Sequence, residues 1–462
     1  MTRPFRFCLL ALLAAALLAP AAASAASKQT MVFEAPSELL DDSRRESTLD
    51  EIQSFGVDHV RALVYWSQFS ARPDSKRKPA FDTADPNAYP EGTWAALDNL
   101  IFSLTRRGMT AQLTLTGPVP KWATKRKTDK VSDPGAQLFG KWARAVVKRY
   151  GDRVNQWSIW NEPNHPDFLG PQYKNNKPHT PKLYRKLYVA GERAIHGVDG
   201  NERDKVLFGE TAPIGNTNVV SPLAFLRGAM CLTKDYKAKG NCKKLRIDGY
   251  AHHAYTRKKG PRFVSTDTDE VSIGSLGRLT AALDKAARAG RIAKGRGIYL
   301  TEFGIQSWPD KLAGVKPARQ AEYTAMSEKI AYANPRVKAF SQYLMRDDEP
   351  HGKGIGRYSG FESGLRTSKG KKKPAYNAFM LPLVATQYGS RDVLWGRVRP
   401  ATGPTQVVIE HKIGAGKWKR LTALQTSGVY GFGTQHHSKQ RYRVKWTRPD
   451  GVTVTGPPIR SY

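Results

Sequence analysis

The sequence predicts a (β/α)8 barrel followed by a small all-β domain. From about residue 30 to 385, short apolar runs rich in β-branched residues alternate with longer segments of helical period, the pattern of repeated βα units. Eight such units fit a closed barrel better than a doubly wound sheet, because no glycine-rich phosphate turn follows the first strand. After about Gly389 the helical period gives way to short alternating segments.

Eight strands are predicted in the barrel region. They are Met31 to Glu34, His59 to Trp66, Thr110 to Thr116, Val154 to Trp160, Lys205 to Glu210, Ile247 to Tyr255, Gly297 to Glu302 and Lys338 to Met345. Cap residues mark the helices between them: Ser47 precedes the first helical pattern, Gly108 follows the second and Gly151 follows the third. Thr180 and Pro181 provide an N-cap and a first-turn proline for the next helix.

Six further strands are predicted in residues 389–462. They are Val393 to Val398, Gln406 to His411, Trp418 to Ala423, Val429 to Gly433, Tyr442 to Trp446 and Val452 to Thr455. About 70 residues with this pattern of short alternating segments are typical of a small β-sandwich of immunoglobulin or fibronectin type. Such a domain either stabilises the barrel or binds carbohydrate. The catalytic domain is then expected to span residues 26–388.

Residues 1–25 have the pattern of a secretory signal peptide. Arg3 and Arg6 form a positive region, Phe7 to Leu18 an apolar region, and Ala23-Ser24-Ala25 a cleavage site. A membrane anchor is the alternative, but the apolar stretch is shorter than the roughly 20 residues that span a bilayer. A secreted, extracellular protein without a transmembrane segment is expected.

Removal of the signal peptide leaves two cysteines, Cys231 and Cys242. In an oxidising compartment, two cysteines this close in the chain most simply form one loop-closing disulfide. A metal site or a catalytic thiol is disfavoured, because no CxxC or histidine-spaced pattern accompanies them.

The chain is strongly basic, with 74 Lys and Arg against 40 Asp and Glu, a net charge of +34. This charge admits nucleic acid, anionic envelope polymers or acidic sugars as partners. The basic runs are short and spread along the chain: Lys76 to Lys78, Lys125 to Lys127, Arg257 to Lys259 and Lys369 to Lys373. Their dispersion favours a solvated basic surface over a dedicated nucleic-acid site.

Two glutamates stand at the ends of predicted barrel strands, where barrel enzymes place their functional residues. Glu162 follows the fourth strand in the string WNEPN, and Glu302 ends the seventh in TEFG. Two carboxylates that converge in a cleft are what glycoside hydrolysis requires, one as acid and one as nucleophile or base. Alternatively, each is a surface residue or half of an ion pair.

These two strings resemble those of clan A glycoside hydrolases, the barrel superfamily that includes cellulases, mannanases, galactanases and β-xylosidases. The resemblance covers about residues 30–385. It implies that Glu162 is the acid/base and Glu302 the nucleophile of a retaining double displacement, and that Asn161 hydrogen-bonds the substrate 2-hydroxyl. A retaining mechanism requires the two carboxyl groups to lie about 5 to 5.5 Å apart.

The same resemblance implies roles for three further residues. Arg61 sits where clan members place an arginine near the nucleophile, and a cation there would keep Glu302 ionised. His253 and Tyr255 match the family's His-x-Tyr, with Tyr255 expected to hydrogen-bond the nucleophile.

Aromatic residues at or just beyond strand ends are candidate platforms for sugar rings. They are Trp66, Trp122, Trp160, Trp308 and Tyr343. For each of them, a place in the barrel core is an equally good interpretation. Tyr343 departs from the family, which often has tryptophan at the end of strand eight. Glu210, which ends the fifth run, is a weaker candidate for substrate contact.

The leading hypothesis is a secreted retaining β-glycosidase or endo-β-glycanase that acts on carbohydrate without a metal or organic cofactor. No EF-hand loop, zinc pattern, phosphate-binding glycine loop or G-x-S-x-G elbow competes with it. The charge adds an anionic or wall-associated polysaccharide as the substrate hypothesis. The alternative is a non-catalytic envelope- or carbohydrate-binding protein on a barrel scaffold, while a nucleic-acid binder rests on charge alone.

Overall fold

The computed structural model describes residues 29–462 except 257, 359 and 402, so the predicted signal peptide lies outside the described residues. Eight parallel strands close a barrel in the order β1-β8-β7-β6-β5-β4-β3-β2. They are β1 Thr30–Glu34, β2 His59–Tyr65, β3 Thr110–Thr116, β4 Gln156–Ile159, β5 Lys205–Thr211, β6 Gly249–His253, β7 Gly297–Glu302 and β8 Val337–Tyr343. The predicted (β/α)8 barrel is confirmed.

The helices lie between and after the strands. They are α1 Pro36–Leu39, α2 Arg45–Ser54, α3 Ala95–Arg106, α4 Ala136–Tyr150, α5 Thr180–His196, α6 Pro222–Ala229, α7 Leu276–Arg288, α8 Pro317–Ala333 and α9 Pro374–Met380. Short 3₁₀ turns occupy Pro86–Ala88, Lys121–Ala123, Ile273–Ser275 and Gly354–Arg357, and a small hairpin pairs Tyr173–Lys174 with Lys177–Pro178.

Local sequence explains most of the helix boundaries. Gly108 and Gly290 follow α3 and α7 with positive φ angles of 66° and 72°, a conformation that suits glycine. Two predicted starts differ slightly. Ser47 lies inside α2, which begins at Arg45, and Thr180 is the first residue of α5 rather than its N-cap.

The C-terminal region forms two antiparallel sheets, which confirms the predicted all-β domain. One has the order β9-β10-β13 and the other β12-β11-β14-β15. Their strands are β9 Leu383–Tyr388, β10 Arg391–Arg397, β11 Thr405–Ile413, β12 Lys419–Thr426, β13 Val429–Gln435, β14 Gln440–Thr447 and β15 Thr453–Thr455. The first of these, β9, begins before residue 389 and was missing from the predicted strands.

An ion-pair cluster fastens the C-terminal sheets to the barrel. Glu328 on α8 is buried and accepts hydrogen bonds from Arg399 Nη1 at 2.5 Å, Arg399 Nη2 at 2.7 Å and Arg397 Nη1 at 2.9 Å. Burial raises the pKa of Glu328, but the charge and hydrogen bonds of Arg399 outweigh this and hold it below its ordinary value. The carboxylate is therefore charged inside the interface.

Replacing Glu328 with glutamine is expected to lower the free energy of unfolding by about 3 to 5 kcal/mol, because it leaves buried guanidinium groups without their counter-charge. Denaturant unfolding of the variant and the wild type measures this difference. Glu322→Gln is the control on the same helix, since the side chain of its partner Arg319 is 47% exposed and a pair screened by solvent contributes about 1 kcal/mol or less. Equal effects of the two variants would contradict the prediction.

The predicted disulfide is confirmed: Cys231 and Cys242 are bonded in the segment between α6 and β6. This segment precedes β6, so it lies at the end of the barrel opposite the carboxyl ends of the strands. Within the described part of the chain, no helix is both long and apolar enough to cross a membrane.

Candidate active site

Glu162 and Glu302 lie together at the carboxyl ends of β4 and β7. Glu302 is the last residue of β7, and Glu162 follows β4 by three residues. One carboxylate oxygen of each and a ring nitrogen of His253 all lie within 4.8 Å of one another. The Glu162 and Glu302 side chains are 17% and 9% exposed, so both reach the surface of the cleft.

The backbone around Glu162 is unusual. Glu162 has a φ of 39°, in the left-handed region that costs a non-glycine residue roughly 1 kcal/mol or more. Its N–H donates to the carbonyl oxygen of Glu210 at 2.9 Å, which ties the end of β4 to the end of β5. This tie fixes the position from which the Glu162 side chain enters the cleft.

Glu302 receives a hydrogen bond on each of its oxygens. The hydroxyl of Tyr255 donates to Oε1 at 2.7 Å, and Nη1 of Arg61 donates to Oε2 at 3.0 Å. Donors on both oxygens, one of them charged, fix the orientation of the carboxylate. The geometry therefore places Arg61 and Tyr255 against Glu302.

His253 lies between the two glutamates and Glu210. Its Nδ1 is 2.9 Å from Glu162 Oε1, and its Nε2 is 2.8 Å from Glu210 Oε2. Burial lowers the pKa of His253, but the charge of Glu302 and the hydrogen bonds with Glu162 and Glu210 outweigh it and raise that pKa to about 10. The imidazole is therefore doubly protonated at neutral pH and donates from both nitrogens.

The protonation state of His253 also affects whether this cluster can bind a metal ion. Glu162, His253 and Glu302 are close enough together to surround a metal ion. A doubly protonated imidazole has no lone pair for a metal, so metal binding at His253 would have to release a proton. The arrangement suits hydrogen bonding and proton transfer.

Arg61 and Glu210 form the floor of the site. Arg61 is fully buried and donates to Glu34 Oε2 at 2.6 Å, to Asn161 Oδ1 at 2.6 Å and to Glu210 Oε2 at 3.3 Å. Glu210 also accepts from Thr301 Oγ1 at 2.5 Å. Burial raises the pKa of Glu210, but the charge of Arg61 and the hydrogen bond from His253 prevail and lower it to about 2. The suggested substrate contact of Glu210 is wrong, because its side chain is completely buried.

Glu34 is a residue of this network that sequence analysis did not single out. It ends β1, and its Oε1 is buried without a hydrogen-bond partner among the described residues. Burial, reinforced by the charge of Glu302 and opposed by Arg61, raises the pKa of Glu34 to about 8. Glu34 is therefore mostly neutral at neutral pH. Its position at a strand end, like that of Glu302, was the available signal.

The ionisation of Glu34 predicts a pH-dependent difference in stability. Because its pKa rises from 4.5 to about 8 on folding, its protonated form contributes stability that is complete below pH 4.5 and lost as the pH rises through 8. Glu34→Gln removes this titration. We compare the free energy of unfolding of the variant with that of the wild type. The difference, variant minus wild type, should rise by more than about 1 kcal/mol between about pH 4.5 and 8.5.

Denaturant unfolding of both proteins across this pH range measures the difference, and other titrating groups cancel because both proteins contain them. Glu349→Gln is the control, since the Glu349 side chain is exposed to solvent in the loop after β8. A difference between Glu34→Gln and wild type that stays constant with pH would contradict a raised pKa for Glu34.

Three of the five aromatic residues considered as sugar platforms are buried in the core instead. Trp66 is fully buried and stacks on Trp142 at 5.6 Å between ring centroids. Trp122 is 3% exposed and packs edge-on against Trp66. Trp160 is also fully buried. The prediction that Trp66 and Trp122 bind substrate is wrong, because both rings are buried, with Phe139 and Trp142 of α4 packed against Trp66.

Trp308 and Tyr343 differ from the buried tryptophans in their surroundings. Trp308 is 40% exposed, and the ammonium group of Lys311 lies 3.5 Å from its ring centroid. Tyr343 packs edge-on against Phe361 with 5.0 Å between ring centroids. Tyr343 is also the last residue of β8 and lies opposite Glu34 of β1 in the barrel. Burial, followed by the charges of Glu302 and Glu34, raises the pKa of Tyr343 well above its ordinary value.

A cavity of about 540 Å³ adjoins Tyr255 at the mouth of the barrel. Its lining includes Asn216, Thr256, Lys258, Phe263 and Leu312. Amide, hydroxyl and ammonium groups beside apolar side chains suit a ligand with many hydroxyls and apolar ring faces. A second cavity, of about 820 Å³, lies at the opposite end of the barrel beside Thr30, His59 and Thr110. That second cavity is remote from the carboxylate pair.

No protein-family model matches the sequence, and no curated protein matches it. Solved structures do. A family 39 glycoside hydrolase from the gut symbiont Bacteroides cellulosilyticus WH2 is 15% identical, with a TM-score of 0.53 over 90% of this chain and 80% of the other. GH5_18 from Streptomyces cattleya, in complex with GlcNAc, is 16% identical, with a TM-score of 0.51 over 77% of this chain and 79% of the other. The chain therefore has the barrel fold of these glycoside hydrolases.

Proposed function

We propose that the protein is a retaining glycoside hydrolase that cleaves β-glycosidic bonds of an oligo- or polysaccharide. The observation that carries the proposal is the convergence of Glu162 and Glu302, with an oxygen of each within 4.8 Å of the other. Retaining enzymes hold their carboxyl groups about 5 to 5.5 Å apart, whereas inverting enzymes leave about 6.5 to 9.5 Å for a water molecule. The short separation favours direct attack by a carboxylate.

Glu302 is the proposed nucleophile. Its two oxygens accept hydrogen bonds from Tyr255 and Arg61, which fix the orientation of the carboxylate. In the first step an oxygen of Glu302 bonds to the anomeric carbon, and the bond from that carbon to the leaving oxygen breaks. In the second step water displaces Glu302, and the configuration of the anomeric carbon is retained overall.

Glu162 is the proposed acid and base. It gives a proton to the leaving oxygen in the first step and takes one from water in the second. His253 donates to Oε1 of Glu162, so Oε2 is the oxygen left for this proton transfer. Arg61 holds Oδ1 of Asn161, which orients the amide so that its Nδ2 can donate to a substrate hydroxyl.

We also propose that the protein is secreted. The bond between Cys231 and Cys242 supports this, because disulfides persist in oxidising compartments and are rare in the cytosol. The signal-peptide pattern of residues 1–25 is the second support.

The test is hydrolysis of a panel of aryl β-glycosides and β-linked polysaccharides by residues 26–462. For a substrate that is cleaved, proton NMR identifies the anomer released first. Initial release of the β-anomer supports the proposed double displacement. Initial release of the α-anomer would exclude Glu302 as a nucleophile, and failure to cleave any β-glycoside would contradict the proposed function.

A further inference from the structure

The outer face of the four-stranded C-terminal sheet carries a band of positive charge. On β14, Arg441, Arg443 and Lys445 alternate with the buried residues Tyr442 and Val444. Because neighbouring side chains of a strand point to opposite faces, the three cations share the outer face. Within residues 383–462, 13 Lys and Arg accompany 3 Asp and Glu, so the C-terminal domain is itself strongly basic.

The neighbouring strands extend this band. Lys412 on β11 lies directly opposite Arg441, and Arg420 on β12 lies opposite Glu410. Glu410 accepts hydrogen bonds from Arg443 at 2.6 Å and pairs with Lys445 at 3.0 Å. We name Lys412, Arg420, Arg441, Arg443 and Lys445 the basic face. Glu410 neutralises part of their charge and leaves an excess of cations.

Like charges directly opposite each other destabilise a sheet, and Lys412 and Arg441 are such a pair. Trp418 keeps two of the cations in place, since Arg443 lies 4.3 Å and Lys412 5.2 Å from its ring centroid. The cations of the basic face are thus held at positions where they repel one another. A bound polyanion would relieve this repulsion.

A groove adjoins the basic face on the same side of the sheet. This cavity of about 510 Å³ is lined by Lys445, Gln406, Val408 and Thr453, among others. Val408 lies opposite Lys445 in the sheet and forms an apolar floor beside the charge. An amide, a hydroxyl and an ammonium group around an apolar floor suit a pyranose ring that carries an acidic group.

We propose that the basic face binds an acidic polysaccharide, whose carboxylate groups pair with its Lys and Arg side chains. The choice of polysaccharide among polyanions rests on the proposed glycosidase function. Single-stranded nucleic acid is the weaker fit, because proteins that bind it stack bases on free aromatic rings, whereas the ring of Trp418 is occupied by two cations. The surface holds the substrate polymer at a second site, separate from the cleft.

The test measures binding of alginate and polygalacturonate to the full chain carrying Glu302→Gln, so that the result does not depend on hydrolysis. Lys412→Thr, Arg420→Thr and Arg441→Thr combined are expected to weaken the apparent Kd by about tenfold or more. The ion pairs of Glu410 are with Arg443 and Lys445, so the triple variant leaves both in place. Threonine suits a strand. Arg441→Thr alone, a milder change, is expected to weaken binding by about threefold.

The matched control replaces three exposed cations on α5, Lys182, Lys186 and Arg193, with glutamine. It should change the apparent Kd by less than about twofold. Equal weakening by the two triple variants would overturn the proposal, because the affinity would then belong to the net charge of the chain. Equal affinity for neutral hydroxyethylcellulose, or tighter binding of single-stranded DNA that the basic-face variant abolishes, would overturn it as well.

Discussion

Replacing Glu302 with glutamine is expected to lower kcat on the best substrate of the panel by about a thousandfold or more. The amide is nearly isosteric with the carboxylate but cannot form an ester with the anomeric carbon. The carboxylate accepts hydrogen bonds on both oxygens, whereas the amide has only one oxygen that can accept. Either Tyr255 or Arg61 therefore loses its acceptor. Steady-state kinetics measures the loss, and intact-protein mass spectrometry with a slow 2-fluoro substrate detects the glycosyl ester in the wild type alone.

The control for this variant is Glu349→Gln, an exposed glutamate in the loop after β8. It should retain the wild-type kcat, and near-UV circular dichroism should show that both variants are folded. A Glu302→Gln protein that keeps more than about a tenth of the wild-type kcat would show that another group attacks the anomeric carbon.

Replacing Glu162 with alanine is expected to produce a loss that depends on the leaving group. Alkyl or sugar leaving groups need a proton, so their kcat/KM should fall by about a thousandfold. A 2,4-dinitrophenolate leaves without protonation, and its kcat/KM should fall far less. The second step lacks its base, so turnover should recover when azide, which needs no deprotonation, replaces water.

Kinetics across a series of aryl glycosides measures this dependence, and NMR identifies the glycosyl azide, which should have the β-configuration. Glu302→Gln is the comparison, because its loss should not shrink as the leaving group improves. A uniform loss across leaving groups in Glu162→Ala would contradict the role of Glu162 as the acid.

The barrel could be predicted because local sequence patterns identify each strand and the helix that follows it. Apolar β-branched runs and glycine or proline caps recur eight times, and closure follows from that count. Strand β9 could not be found this way. Its apolar run from Leu383 follows α9 after only Leu381 and Pro382, so the change from helical to strand period is hidden.

The meeting of Glu162 and Glu302 at one end of the barrel could be predicted from the sequence. Glu162 and Glu302 stand at strand ends, and a barrel brings those ends together. The residues beneath them were harder to assign. Glu34 ends β1 and Glu210 is the next-to-last residue of β5, yet both side chains lie beneath the cleft and bind Arg61. Only the packing distinguishes them from Glu162 and Glu302. Trp66 and Trp122 show the same limit, since an aromatic ring beyond a strand suits the core as well as the cleft.

The contact between Glu328 and the two arginines of the C-terminal region has a consequence for how the molecule can be rearranged. The barrel contributes a charged acid whose counter-ions, Arg397 and Arg399, belong to the other domain. Separating the domains would leave unbalanced charge on both sides. The two domains should therefore melt in a single cooperative transition. The C-terminal domain could therefore be replaced by that of another protein only if the replacement places two cations where Arg397 and Arg399 contact Glu328.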